Sequence, residues 1–440
     1  MHTKASAPIQ GHLENEKISW LAFAACFIVY VVFCMTRNTY SAAIAAIVQE
    51  GLFTKANAGV INSAFYLLYG SAQFVGGYMA DRISPYKIII AGLIGGILTN
   101  AAMALSDSFL VMLIAWSLNG LAQFGVWPAI LAVVARVVMN KHQSIAMSLL
   151  PLGFCTGSMI SYLNAMVVLE YSRWPNLFWV SVSVLILSTC FFLFAVGKIR
   201  RNMIPDKNTA LEASAGSAAE STPTAASDQP VSDPAARQNS FQLFPMLLSS
   251  GLLFLIIPNI CRSMLDLGLK TWVPTMLTEL FGITAGFASF LTVLLLLVNL
   301  TGVFLVNAIY PNRCKNTAIV IALFFAASLP LLCLMFSMNS LSVLVVVALL
   351  AVVTTFMNAC NQLFNVILPV SFKRFGKVGI VAGTLNAFAC FGILISNLLY
   401  GWLAEHFGWN TTITVWVVLA AVAVILSLIA APRWKRFALK

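Results

Sequence analysis

Twelve long apolar stretches dominate this sequence of 440 residues and constrain its fold more than any other feature. A helix of about 20 mostly apolar residues can cross the hydrocarbon core of a bilayer. Such a helix also pairs its own backbone groups, which lipid cannot do. We therefore predict an all-α membrane protein with twelve transmembrane helices in two six-helix halves. The predicted spans are 18–48, 56–80, 86–106, 109–138, 144–169, 174–197, 246–278, 286–310, 316–338, 341–370, 378–403 and 410–431.

The composition excludes several classes of protein. Hydrophobic residues make up 60% of the chain and charged residues only 9%, whereas about 25% of the residues in a soluble domain are charged. A soluble enzyme, a disordered protein and a nucleic-acid binder are therefore not expected. The nine cysteines form no C-x-x-C pair, which argues against a zinc site. The sequence contains no nucleotide-binding loop, so we expect neither a cofactor nor an ATP-driven pump.

One polar stretch divides the predicted spans into two sets of six. Residues 198–245 are rich in Ala, Ser, Thr and Pro and have too few apolar side chains to form a core, which predicts a flexible linker. The predicted organisation is an N-terminal segment 1–17, a six-helix half 18–197, the linker 198–245, a second half 246–431 and a tail 432–440.

The basic residues predict the orientation in the membrane. Of the 25 Lys and Arg residues, 20 fall on the side of the termini and the linker, 2 fall in the opposite loops and 3 lie inside spans. Loops rich in Lys and Arg remain in the cytoplasm. We therefore expect both termini to be cytoplasmic, and we place the chain in a bacterial inner membrane. This bias also accounts for the net charge of +11 without a nucleic-acid partner.

Four charged residues lie deep inside the predicted spans, away from their ends: Arg37, Arg262, Asp266 and Lys270. Charges at this depth are costly and usually functional. The last three follow an i, i+4, i+8 spacing, so they share one helical face, and Asp266 could pair with either basic neighbour. Either pairing leaves an excess of two positive charges. Since guanidinium groups bind carboxylates and phosphates through two points, we expect a small anionic substrate.

Polar and aromatic side chains form one-sided stripes on three other spans. Stripes of this kind either line a cavity or form hydrogen bonds between helices. Three of them together favour a polar cavity. The candidate substrate-binding residues on these stripes are Tyr66, Tyr69 and Gln73 in span 2, Gln123 and Trp127 in span 4, and Asn358 and Asn361 in span 10.

The loop after span 2 contains Gly77, Asp81 and Arg82 in a G-x-x-x-D-R pattern. This pattern and the six-plus-six arrangement resemble the major facilitator superfamily. The resemblance implies two halves related by an axis along the membrane normal and a substrate held between them near the midplane. It also implies that Asp81 and Arg82 form a cytoplasmic latch.

Three segments are similar to the organophosphate:phosphate antiporters of that superfamily, which exchange glycerol-3-phosphate or hexose phosphates for inorganic phosphate. They are Arg37-Asn38-Thr39-Tyr40-Ser41, Phe124-Gly125-Val126-Trp127-Pro128-Ala129 and Trp272-Val273-Pro274-Thr275-Met276-Leu277. The resemblance implies that Arg37 is one of two arginines that grip phosphate.

The chain departs from that family at its other basic positions. The position of the second phosphate-binding arginine falls on Asp266, and Arg262 lies one turn away. Asn38, Gln73 and Phe154 stand where the family has two lysines and a histidine. The ligand class therefore stays open between a phosphate ester, a monoanion, a carboxylate and a zwitterion whose amine meets Asp266.

The favoured function is a secondary active transporter of a small organic anion, working by alternating access as a monomer in the lipid bilayer. Arg37 and Arg262 would bind the anion, and Asp266 and Lys270 would tune the charge or form a gate. Inorganic phosphate and a proton are both open as the coupling ion, although an ion-paired Asp266 would be a poor proton carrier and favours exchange. The alternatives are a proton-coupled multidrug or metabolite efflux transporter, and a transporter-like nutrient sensor.

Overall fold

The computed structural model describes residues 11–12, 15–202, 204–205, 251–310, 314, 316–372 and 378–438, without the side chains of 11–12, 74–82, 140, 144, 204–205, 379 and 438. These residues are nearly all helical, which confirms the predicted all-α membrane fold. Eleven helices of the described part are long and apolar enough to cross a membrane. The remaining predicted span, 56–80, is a helix of 28 residues, some of whose side chains are outside the description.

The N-terminal half contains eight helical segments that form the first six predicted spans. A two-residue antiparallel pairing between β1 (Gly11–His12) and β2 (Ile204–Pro205) ties the start of the chain to the end of this half. The helices are α1 Glu16–Gln49, α2 Lys55–Arg82, α3 Pro85–Leu105, α4 Phe109–Gln123, α5 Val126–Val137, α6 Asn140–Leu149, α7 Leu152–Tyr171 and α8 Pro175–Asn202.

The described part of the C-terminal half contains nine α-helical segments and three turns of other helix types. They are α9 Leu252–Ser263, the π turn Met264–Gly268, α10 Leu269–Phe281, α11 Ala285–Asn299, α12 Thr301–Ile309, α13 Thr317–Leu334, the 3-10 turn Met335–Ser340, α14 Val343–Gln362, the π turn Leu363–Ile367, α15 Leu368–Val370, α16 Val378–His406 and α17 Gly408–Ala438.

Two helices run beyond their predicted ends. Helix α8 reaches Asn202, so the first residues of the predicted linker 198–245 are helical, and residues 206–245 lie outside the described part. Helix α17 continues through Pro432 to Ala438, into the predicted tail. The reason is packing: Trp434 is 1% exposed and its ring lies 6.1 Å from that of Phe372.

The two halves meet mainly at one end of the bundle. We call it the Glu279 end, because Lys55, Glu279 and Glu405 lie there, and the opposite end the terminal end. One apolar core lies within the N half at the terminal end and includes members from 22–33 of α1, 126–137 of α5 and 185–199 of α8. The second core joins the C half to the parts of α1 and α2 near the Glu279 end. Of the two cores formed by the described residues, only the second contains members of both halves.

Candidate substrate site

Three ionisable residues predicted on one face of span 7 form a buried charge ladder. Asp266 lies in the π turn between α9 and α10 and is 4% exposed. Its Oδ1 accepts a hydrogen bond from Lys270 Nζ, and its Oδ2 lies 3.7 Å from Arg262 Nη1. The two pairings that the spacing allowed therefore occur together, because the carboxylate offers one oxygen to each base. Mid-helix π turns are often found at functional sites.

Arg262 is positioned by a residue one turn earlier on the same helix. Its Nε donates to Asn259 Oδ1 at 3.1 Å, and Asn259 Nδ2 donates to the backbone carbonyl of Leu385 on α16 at 2.7 Å. Asn259 is fully buried and Arg262 is 3% exposed. Because both polar ends of the amide are used, the guanidinium is connected to the neighbouring helix α16.

Arg37 on α1 has a similar arrangement in the N half. Its Nε donates to Gln123 Oε1 at 3.2 Å, and Gln123 Nε2 donates to Asn119 Oδ1 at 3.1 Å. The guanidinium carbon lies 4.5 Å from the centre of the Tyr69 ring, which is a cation–π contact. No carboxylate of the described residues pairs with Arg37.

The two arginines lie on opposite sides of the boundary between the halves. Cys390 on α16 lies within electrostatic range of both guanidinium groups. A small pocket next to this region is lined by side chains of both halves. They include Asn38, Tyr66, Ser158 and Tyr162 from the N half, and Lys270 and Thr271 from the C half. The structure thus gathers side chains from distant parts of the chain around one interior region.

The seam between α2 and α16 explains several of the predicted polar stripes. Asn62 donates to Asn397 at 3.1 Å, and Asn386 donates to Gln73 at 2.5 Å. Ser63 donates to the Leu394 carbonyl at 2.9 Å. Gln73 therefore ties the two halves together, a role that the stripe alone could not separate from substrate contact.

The other predicted residues divide between the site and the surrounding helices. Tyr66 lines the interior pocket, whereas Trp127 packs on Tyr30 with ring centres 4.4 Å apart. Asn358 donates to the Asn299 carbonyl at 2.8 Å, and Asn361 accepts from the amide of Asn365. These hydrogen bonds connect helix backbones and neighbouring turns of the C half.

The predicted latch falls in the last turn of α2. The side chains of Asp81 and Arg82 lie outside the described part of the chain, so the latch stays a prediction.

A charged clasp at the Glu279 end was missed by the sequence reasoning. Lys55 Nζ lies 3.0 Å from both carboxylate oxygens of Glu279, and the backbone N–H of Lys55 donates to Glu405 at 2.8 Å. Trp409 Nε1 donates to Glu279 at 2.8 Å. This clasp joins α2 of the N half to α10, α16 and α17 of the C half. One signal in the sequence could have predicted it: acidic residues cluster at the span ends on the side of the membrane where Lys and Arg are rare.

A second ion pair at this end lies within the N half. Arg173 donates to Glu50 at 3.0 Å, and this hydrogen bond and the carboxylate charge raise the pKa of Arg173 above its ordinary value. It connects the end of α1 to the loop before α8.

Two glycines allow the backbones to approach at the Glu279 end. A Cβ on Gly59 would lie 2.3 Å from the Asn397 carbonyl oxygen, and one on Gly401 would lie 2.6 Å from the Lys55 carbonyl oxygen. A side chain at either position would push the halves apart.

The comparisons with known proteins agree with this architecture. The model of the Major Facilitator Superfamily matches residues 26–390. The chain belongs to the major facilitator superfamily. Within the superfamily, it is 27% identical to a probable hexose phosphate transport protein of Chlamydia pneumoniae over 158 residues, which are 36% of this chain and 35% of the relative.

Two further relatives of the chain are a transporter and a membrane sensor protein. A glycerol-3-phosphate transporter of Haemophilus influenzae is 33% identical over 133 residues, 28% of each chain. The membrane sensor protein UhpC of Salmonella typhimurium is 31% identical over 94 residues, 21% of each chain. The chain thus aligns with about a third or less of the length of these relatives. The names confirm the resemblance to organophosphate transporters that the three segments indicated.

Solved structures of the superfamily share the whole fold. A bacterial homolog of the human lysosomal transporter Spinster, in an inward-facing and unoccupied conformation, has a TM-score of 0.74 at 13% identity, covering 96% of this chain and 99% of that one. A D-xylose-proton symporter has a TM-score of 0.69 at 11% identity, covering 94% and 97%. These relatives and solved structures are transporters and a membrane sensor, not enzymes.

Proposed function

We propose that this chain is a secondary active transporter of a small organic anion, a phosphate ester or a carboxylate. The observation that carries the proposal is Arg37: a guanidinium in the membrane interior that faces aromatic rings and an amide, with no carboxylate partner among the described residues. A buried charge without a counter-ion is costly, and an anionic substrate would supply that counter-ion. The hexose phosphate and glycerol-3-phosphate transporters among the relatives support the same ligand class.

The proposed coupling is exchange, with inorganic phosphate as the counter-substrate. A proton symporter needs a carboxylate that gains and loses a proton during the cycle. Asp266, the acid of the charge ladder, is 4% exposed, and each of its two oxygens faces a base, Lys270 or Arg262. A proton relayed through Asp266 would have to break these pairings, which weighs against both proton symport and proton-driven efflux. Three bases against one acid also disfavour a cationic drug.

The transport cycle would open and close the two ends of the bundle in turn. The bias of the Lys and Arg residues supports placing the terminal end on the cytoplasmic side of the membrane. We propose that this membrane is a bacterial inner membrane. The Glu279 end would then face outward. Its shared core, clasp and close backbone approaches correspond to a state that is closed to the outside. The Spinster homolog with the same fold is in an inward-facing conformation.

The test is uptake into proteoliposomes loaded with inorganic phosphate. Labelled glycerol-3-phosphate, hexose phosphates, carboxylates and amino acids are offered outside. Uptake of a phosphate ester that requires internal phosphate supports the proposal in full. Uptake of a carboxylate without phosphate dependence keeps the anion site and rejects the phosphate exchange. Uptake of cations or neutral drugs alone would overturn the proposal.

A sensor is the second candidate, because one relative is named a membrane sensor protein. A sensor binds its ligand but does not move it. Saturable binding of a labelled phosphate ester to the purified protein, together with no uptake in loaded vesicles, would favour this candidate.

A further inference from the structure

We infer that Asn259 and Gln123 are positioning residues that hold Arg262 and Arg37 by their Nε atoms, so that the anion can meet only the terminal nitrogens of each guanidinium. The inference rests on the proposed function and adds to it the edge of each arginine that binds. Gln123, which the sequence analysis counted among the candidate substrate-binding residues, is here assigned to Arg37, and Asn259 to Arg262. Each amide acts through its arginine.

A guanidinium can bind an anion through two different edges. One edge offers Nε and one terminal nitrogen, and the other offers both terminal nitrogens. In both arginines here, Nε already donates to an amide oxygen, at 3.1 Å for Arg262 and 3.2 Å for Arg37. The edge that contains Nε is therefore occupied in both halves.

Each amide is itself fixed by its second polar atom. Asn259 donates its amide to the Leu385 carbonyl, and Gln123 donates its amide to Asn119 Oδ1. Asn259 is 0% exposed and Gln123 is 1% exposed. An amide whose donor side is taken can present only its oxygen to the arginine. The orientation of the guanidinium is thus determined by helix α16 in one half and by helix α4 in the other.

The two arginines differ in the edge that remains free. Among the described residues, neither terminal nitrogen of Arg37 has a hydrogen-bond partner, and Tyr69 covers one face of the group. Arg262 already directs Nη1 toward Asp266 at 3.7 Å. Arg37 can therefore bind an anion through two nitrogens, whereas Arg262 offers mainly one. Because of this difference, we assign two-point binding of the anion to Arg37 in the N half.

The experiment removes each acceptor and keeps the size of the side chain. The variants are Asn259→Leu and Gln123→Met, and the matched control is Asn100→Leu. Asn100 on α3 is also fully buried and donates its amide to a backbone carbonyl, that of Gly96, but its oxygen accepts from no arginine. Uptake of labelled inorganic phosphate, glycerol-3-phosphate and succinate is measured in proteoliposomes over a range of concentrations.

We expect KM to rise about tenfold in both variants, equal to ~1.4 kcal/mol, with the maximal rate within about twofold of the unaltered chain. The control should show no rise in KM. A fall in maximal rate at constant KM, or equal effects in variants and control, would overturn the positioning role. An unaltered chain that moves none of the three anions would instead reject the proposed function. If Asn259→Leu does not fold, Gln123→Met decides the question for its own arginine.

Discussion

Removing the charge of Glu279 should weaken the clasp between the halves. In Glu279→Gln, the amide oxygen can still accept from Lys55, so the change removes charge and keeps the size. Two unit charges about 4 Å apart attract by ~4 kcal/mol at an effective dielectric constant of 20, but exposed pairs contribute only about 0–1 kcal/mol. The side chains of Lys55 and Glu279 are 14% and 33% exposed. We therefore expect the state that is closed at the Glu279 end to lose ~1.4 kcal/mol of stability relative to the open state, a value between these limits. This corresponds to about a tenfold shift toward the open state.

A single reporter cysteine can measure that shift. Thr275 is 1% exposed and lies one turn before Glu279 on α10. With the nine natural cysteines replaced, Thr275→Cys should react with a maleimide only when this end opens. In nanodiscs, Glu279→Gln should increase the reaction rate up to about tenfold.

Glu50→Gln is the matched control for this measurement. It removes one carboxylate charge at the same end, but Glu50 pairs with Arg173 inside the N half. Its reaction rate should stay at the level of the reporter alone. Equal rates in Glu279→Gln and Glu50→Gln would refute the idea that the clasp holds the two halves together, and so would a rate that does not change at all.

Three further predictions follow from the site and from the close approach of the halves. Arg37→Ala should abolish anion uptake while the protein stays folded in the membrane, because it removes the interior guanidinium that lacks a counter-ion; uptake that persists would make Arg37 structural. Asp266→Asn should lower the thermal stability in detergent, because a buried pair that loses one partner costs about 3–5 kcal/mol. Adding Lys270→Met should recover part of the loss, and equal melting temperatures in all three proteins would contradict this account. Gly401→Ala should suppress transport, since its Cβ would lie 2.6 Å from a backbone oxygen of the other half. Gly383→Ala on the same helix, where a Cβ would meet no atom of the described residues within 4 Å, should transport normally. Similar uptake by both alanine variants would argue against closure at this end.

The helices could be predicted because each is a local property of an apolar run. The helix ends were less accurate where packing extends a helix. Helix α17 continues past Pro432 because Trp434 is buried against Phe372. The sequence around Trp434 does not predict that contact, because Phe372 is distant in the chain. The break between α6 and α7 does have a local cause, since Pro151 precedes α7 and cannot donate a backbone hydrogen bond.

The candidate site was predictable only where its residues are close in sequence. The i, i+4 spacing in span 7 indicated both pairings of Asp266, and both occur. The amides were harder to interpret, because an Asn or Gln on a membrane helix can face a ligand, another helix or an arginine. Asn259 was not among the candidates although it lies three residues before Arg262, and its second contact is to Leu385.

The sequence by itself determined that this chain spans a membrane as two sets of helices and that basic groups lie inside it. Hydropathy, charge bias and helical spacing depend only on residues that are close in sequence, so they can be evaluated without knowledge of the fold. The tertiary structure decided which charges are neutralised and which end of the bundle is closed. Lys55 meets Glu279 across 224 positions of chain, and Arg37 meets Gln123 across 86. Pairings of that range exist only after the helices have packed, because only packing decides which of the many polar side chains share an interior face.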